Sequence, residues 1–304
     1  MSVQLEVRDG SPDWWESPDI WVVPGTDPEG SPGAPVAGQT AYLWATVANH
    51  GSSDAAQVEV DFWVADPTTQ VRRSTAQHIG TAYADVPAGG SQDVLCLVPW
   101  NVTVINGGHE CVVVVAASPA DPLSPTPTDP DLLDPPTYRQ IAQRNLSVLP
   151  LASGHAAEVL LTVTAGARAG KATVLHVSAG TELSREVLRS LGLRGGKPAP
   201  DKIAFGLSAH PSRGRDHAAA GRDEVLGERA LRLDVPRGTA AGAYLGVTAH
   251  QPLRAGEYAV VRVAEMDGDR TLGGLSLVVV PPERAAEAED EPTKKTTSRA
   301  KGGA

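Results

Sequence analysis

Three consecutive stretches decide the fold: Tyr42-Leu43-Trp44-Ala45-Thr46-Val47, then Asn49-His50-Gly51-Ser52-Ser53-Asp54, then Val58-Glu59-Val60-Asp61-Phe62-Trp63-Val64. Apolar and polar residues alternate in the outer two, and the middle one supplies turn chemistry, so they read as two half-buried strands and their connection. Working outward, further strands are expected near 78–86, 92–98 and 110–117. Six or seven short strands in roughly 120 residues is the pattern of an antiparallel β-sandwich.

Downstream, the proline-rich stretch 118–137 (SPADPLSPTPTDPDLLDPPT) has no β-pattern and is expected to be a stiff, extended loop or linker. Residues 139–149 either close the first sandwich or open a second, which places the boundary near residue 150. The strand pattern returns at Glu158–Thr164, Ala172–Ser178, Ile203–His210, Arg229–Val235, Ala243–His250, Glu257–Ala264 and Leu272–Val280. Asp267-Gly268 between the last two predicts a two-residue hairpin turn with positive φ at both central residues. One amphipathic helix is expected, capped by Thr181 or Ser184, with Leu183, Val187, Leu188 and Leu191 on one face and Gly192 at its end. Residues 283–304 lack an apolar face and are expected to be disordered. The expected fold is therefore all-β: two immunoglobulin-like sandwiches over 1–150 and 151–282, the second bearing a short helix, and a disordered tail.

Composition agrees. A chain of 304 residues exceeds what one core usually fills, roughly 250–300 residues. The net charge of −10 is uneven: residues 1–150 hold 18 acids against five Arg and no Lys, while 151–304 hold 18 acids against 21 bases. So acidic a first half repels phosphate backbones and argues against nucleic acid as a partner. All six Trp also lie in the first 100 residues. Cys96 and Cys111 sit in apolar runs read as neighbouring strands, and two buried thiols are expected there rather than a disulfide. With no apolar run of membrane-spanning length and no basic, apolar leader pattern, the expectation is a chain made in the cytoplasm without membrane insertion. Arg over Lys with abundant Ala, Gly and Pro points to a GC-rich bacterial genome.

Several turns carry a family likeness. Pro18-Asp19-Ile20-Trp21-Val22, Pro35-Val36-Ala37-Gly38-Gln39, Val47-Ala48-Asn49-His50-Gly51 with Val58, Val60 and Phe62, and Val86-Pro87-Ala88-Gly89-Gly90-Ser91 together resemble the cell-adhesion-related domain found in bacteria (CARDB) over about residues 17–120. Gly51 and Gly89 suit positive φ, and Asn49 can hydrogen-bond its turn. The resemblance implies an immunoglobulin-like, non-catalytic module belonging to a larger extracellular or assembly-forming protein.

Motifs for chemistry are sparse. Neither HExxH nor GxSxG occurs, and Leu193-Arg194-Gly195-Gly196-Lys197-Pro198 lacks the features of a phosphate loop. Asn101-Val102-Thr103 and Asn145-Leu146-Ser147 are glycosylation sequons by letter only. His176, His210 and His250 form a metal site only if their strand ends cluster, and no cofactor is expected. Asp13, Glu16 and Asp19 surround Trp14 and Trp15, and oxygen-rich loops of this kind can hold calcium, although no DxDxDG loop is present. Adjacent Trp14 and Trp15 cannot both face one core, so at least one ring is expected to be exposed or to meet another domain or subunit. Asp13, Trp14, Trp15, Glu16, Asp19 and Trp21 are therefore the interface candidates. The expected function is a non-catalytic structural or interaction module that joins copies of itself or other assembly subunits through this segment and through exposed strand edges. The alternatives are a glycan-binding or adhesion module exported without a standard leader and, further off, a metal-dependent hydrolase.

Overall fold

Alternation along the chain becomes two pairs of stacked sheets in the computed structural model, which describes residues 2–66, 69–102, 111–165, 170–180, 182–211 and 229–282. The first domain is built from β1 (Leu5–Glu6), β2 (Ile20–Pro24), β3 (Thr40–Asn49), β4 (Ala55–Ala65), β5 (Val71–Arg72), β6 (Gln77–Val86), β7 (Ser91–Leu95), β8 (Trp100–Asn101), β9 (Cys111–Ala117), β10 (Leu132–Leu133) and β11 (Ile141–Arg144). In one sheet β3 is the central strand, with β1 and β2 along one side and β7 and β8 along the other. The other sheet runs β11-β9-β4-β6. Inward residues of both, including Ile20, Val22, Leu43, Val47, Val58, Val60, Phe62, Trp100 and Val114, form one core.

The second domain comprises β12 (Leu146–Pro150), β13 (Ala156–Thr164), β14 (Lys171–Ala179), α1 (Arg185–Ser190), β15 (Lys197–Pro198), β16 (Ile203–Ser208), β17 (Ala230–Val235), β18 (Ala240–Ala249), β19 (Glu257–Asp267) and β20 (Arg270–Val280). A sheet ordered β12-β20-β19-β14-β17, with β15 beside β19, packs on the sheet β13-β18-β16. Ser184 caps α1 by accepting the Val187 N–H at 3.2 Å. Leu183, Val187, Leu188 and Leu191 then pack on Tyr258, Val260, Val278 and Val280, on the outer face of the larger sheet. Among the described residues the protein is thus nearly all β, with two stacked-sheet sandwiches and one short α-helix.

Several details differ from the sequence reading. The domain crossing lies at Asn145, between β11 and β12, because Leu146–Pro150 pairs with Ser276–Val280 of the second domain. That pairing is parallel, as is β15 with β19. The proline-rich stretch folds back on its own domain: β10 pairs with β5, and Leu133 and Tyr138 cover Val113, Val115 and Ile141 on the outer sheet face. Cys96 and Cys111 lie in different clusters, one between the sheets and one outside them, and no disulfide joins them. Burial pushes the Cys96 thiol above its ordinary pKa. The β19–β20 turn is Gly268-Asp269, and only Gly268 has positive φ. Gly89 also has positive φ, whereas Gly51 serves close approach, since a β-carbon there would collide with the backbone of Ser2 and Val3. Thr181, Thr103 of the first sequon and residues 283–304 lie outside the described residues.

Phe62 is fully buried and Tyr83 is 59% exposed. Phe62→Ala is expected to cost about 3–5 kcal/mol, and Tyr83→Ala about 0.5 kcal/mol or less, both read from denaturant midpoints.

Candidate functional site

Between β1 and β2 the chain runs over residues 13–17, and there the second domain meets it. Trp15 is 3% and Trp14 7% exposed, their rings edge-on with centroids 5.7 Å apart. A β-carbon at Gly274 would stand 2.6 Å from the Trp15 ring, closer than carbon atoms pack, so only glycine leaves room for the indole. The indole N–H donates to Ser276 Oγ at 3.0 Å. Thr69 presses its backbone on Gly273 in the same way.

Ionic contacts frame this seat. Arg262 donates to Glu16 at 2.7 and 3.0 Å and lies 3.1 Å from Asp13, while the Ser276 hydroxyl also donates to Glu16. Nearby, Glu265 is wholly buried and receives Lys171 Nζ at 2.6 Å and the Thr69 hydroxyl. Lys171 reaches back across the junction to Gln70 at 2.8 Å. Asn145 ties both sides: its N–H donates to Trp15 O, its carbonyl accepts from Ser276 N and its side chain donates to Gly274 O at 2.8 Å. That occupied, buried amide is unavailable as a glycosylation acceptor.

Burial and charge pull in opposite directions here. Desolvation raises the Asp13 carboxyl above its ordinary range despite Arg262. Burial opposes the Arg262 charge, but hydrogen bonds and attraction from Glu16, with Asp13, leave its pKa above the ordinary value. Arg144 donates to Ile20 O at 2.7 Å and is enclosed; burial pulls it down to about 10 against the attraction of Glu16.

The segment expected to face a partner is therefore turned inward. Asp19 is buried and held by Arg8 through hydrogen bonds of 2.5–3.0 Å. With Asp13 and Glu16 on Arg262, all three acids expected as possible calcium ligands are engaged by arginine. Trp21 stacks on Trp44 with centroids 5.7 Å apart and planes 11° apart, half-buried on the outer face of the β3 sheet. The histidines do not gather. Ile203 pairs with Ala249 and Ser208 with Tyr244, so His250 and His210 follow opposite ends of one strand pair. His176 is on the other sheet, opposite Ala230 and Ala264. Among the described residues no group of three or more His, Cys, Asp or Glu could hold a metal ion, and no helix is long and apolar enough to cross a membrane.

A second surface lies on the flank of the first domain. Here β6 and β7 each end their sheet, and among the described residues no strand pairs with the second edge of either. A groove of about 530 Å³ runs between them, lined by Thr81–Asp85, Gln92–Leu95 and Leu97. Tyr83 and Leu97, 59% and 77% exposed, are two of its lining residues, and Val98, 48% exposed, follows. The opposite flank is closed, because Ser17 N donates to Gln143 O and Val7 N to Arg139 O. Sequence reasoning missed the junction's second half. Its signals are Gly273-Gly274 inside a strand pattern and a lone Arg262 in the apolar run before Glu265.

No family model matches the chain, and no curated protein matches it. Among solved structures it is similar to red sea bream transglutaminase, at 11% identity and a TM-score of 0.22 over 86% of this chain and 31% of that one. It is also similar to a mutant Salmonella alpha-2-macroglobulin, at 11% identity and a TM-score of 0.24 over 86% and 16%. A third is a mutant CFA/I adhesin of enterotoxigenic E. coli, at 6% identity and a TM-score of 0.22 over 92% and 93%. The chain spans under a third of the first two proteins, and likeness at this level says nothing about activity.

Two expectations test the junction. Glu16→Ala takes from Arg144 the carboxylate that attracts it and leaves Arg262 with Asp13 alone; it is expected to destabilise by about 3 kcal/mol, separating thermal unfolding into two calorimetric transitions. Asp13→Asn has the opposite sign. The folded-state pKa of Asp13 is raised, so its ionisation lowers stability as pH climbs past the ordinary value of 3.8. The Asn variant is expected to match the wild type near pH 3 and to exceed it at pH 7 in denaturant titrations.

Proposed function

We propose that this chain is a non-catalytic interaction module, a subunit or adaptor of a homo-oligomer or a larger bacterial assembly, with a CARDB-like first domain. The observation that carries the reading is the open flank, where two neighbouring sheet edges run beside exposed Tyr83 and Leu97. Sheet edges in a lone domain are normally covered or blunted by Lys, Pro or short length; β6 runs ten residues without either residue type. The Trp14–Trp15 segment belongs to the junction instead, fixing the first domain on the second so that the flank is presented from a firm base. On this reading the partner is a protein, since the acidic first half disfavours nucleic acid, and the module works without cofactor or membrane insertion. Synthesis is placed in the cytoplasm.

A glycan-binding or adhesion role, with export that uses no standard leader, would draw on the half-buried Trp21–Trp44 stack. Tryptophan fluorescence titrated with cell-wall sugars separates the two: a saturable change lost in Trp21→Ala favours the glycan.

For the interaction reading, size-exclusion chromatography with light scattering, beside a pull-down from source cells, is the test. The wild type is expected to exceed its 31.6 kDa monomer mass or to retain a stoichiometric partner, and Tyr83→Lys with Leu97→Lys, which puts cations on the edge, to abolish both at little cost in stability. A wild-type monomer that holds no partner would overturn it.

A further inference from the structure

We infer that the occupant of the β6–β7 flank is an extended basic segment of another protein, with apolar side chains at alternate positions, added as a strand to the edge of β6. This rests on the reading of the flank as the contact surface.

Strand geometry sets the pattern. Along β6 the residues alternate, Ala82 and Ala84 turned inward and partly buried, Thr81, Tyr83 and Asp85 outward and exposed. A strand paired with this edge continues the alternation. Every second side chain of the incoming strand points into the recess between the sheets, which the small Ala82 and Ala84 leave open beside Val94. That recess suits a residue of valine size. The intervening side chains emerge on the outer face, next to Tyr83 and Asp85.

Charge selects what emerges there. Glu59 pairs across β4 with Tyr83, and Asp61 with Thr81, so two more carboxylates border the same row; Asp93 stands on the β7 side of the groove. The contacts found at three of these acids come from neutral groups: Asp85 accepts from the Gln57 N–H, Asp93 from the Thr46 hydroxyl and Glu59 from the Tyr83 hydroxyl. Among the described residues no cation pairs with these three, so their negative charge is left for a ligand to neutralise, whereas Asp61 already holds His78 at 3.0 Å. The same charges oppose a second copy, because edge-to-edge pairing of two β6 strands would set one acidic rim beside the other, with Asp85 on the paired strands themselves and Glu59 and Asp61 one strand further back. An alternation of lysine or arginine with apolar residues satisfies the backbone edge, the recess and the acidic rim at once.

The test uses the full chain and a synthetic octapeptide alternating lysine and valine. Hydrogen–deuterium exchange is expected to slow at the amides of residues 81–85, and fluorescence anisotropy to show binding about tenfold weaker in 0.5 M salt than in 0.05 M. Replacing the peptide's lysines by glutamate, or methylating all of its backbone nitrogens, is expected to weaken binding by about tenfold or more. Asp85→Lys with Asp93→Lys is expected to transfer preference to the glutamate peptide. Equal binding of the N-methylated peptide, or protection spread over the acidic surface, would show mere polycation adsorption and overturn the inference. Protection that grows with protein concentration and needs no peptide would assign the edge to a second copy and also overturn it. If peptides fail while Tyr83→Lys with Leu97→Lys still breaks an assembly, the basic strand alone is wrong; if that variant changes no assembly, the flank itself is wrong.

Discussion

The missing side chain at Gly274 is what allows the two sandwiches to meet. Because nothing projects from that position, the Trp15 indole reaches the strand backbone, and its N–H finds Ser276. Glu16, the next residue, is thereby carried to Arg262. A large apolar ring and a buried ion pair then act together: the ring excludes water, and the charges accept only one registry of one domain on the other. Buried pairs of this kind add little net stability over apolar packing but penalise misalignment heavily. Here that trade-off suits a joint between rigid parts.

Sheet edges show a division of labour in the first domain. One flank is sealed by backbone hydrogen bonds from Ser17 and Val7 to the strand and loop around β11, with Arg144 bonded across to Ile20. The other is left as two parallel rims beside exposed apolar side chains. Acidic residues border the open rim, and β6 carries neither Lys nor Pro along its length.

The architecture was legible because alternation is a local signal. β3, β6 and β9 fall on the expected strands to within two residues, while β4 begins three residues earlier and β7 ends three residues sooner; β13, β14 and β16–β20 also agree to within two, apart from a three-residue extension at two ends. Helix α1 follows from Ser184, its leucine face and Gly192 for the same reason. What depends on partners distant in sequence was not legible. Nothing local to Leu146–Pro150 says that it pairs parallel with β20, or that proline-rich residues fold back over Val113 and Val115. The Trp14–Trp15 pair announced that at least one ring must leave its own core, yet the seat of Trp15 is written some 260 residues away, at Gly274. His210 and His250 stand apart for a topological reason: strand ends that look alike in sequence lie at opposite ends of an antiparallel pair.

The connector at Asn145 has a mechanical meaning. Only that residue separates a strand of one sheet from a strand of the next, so the joint holds no slack that stretching could take up. β12 enters alongside β20 in parallel, so the start of β12 and the end of β20 lie at opposite ends of the pair. Tension drawn along the polypeptide therefore loads those five paired residues in shear, all at once, instead of peeling them apart one rung at a time.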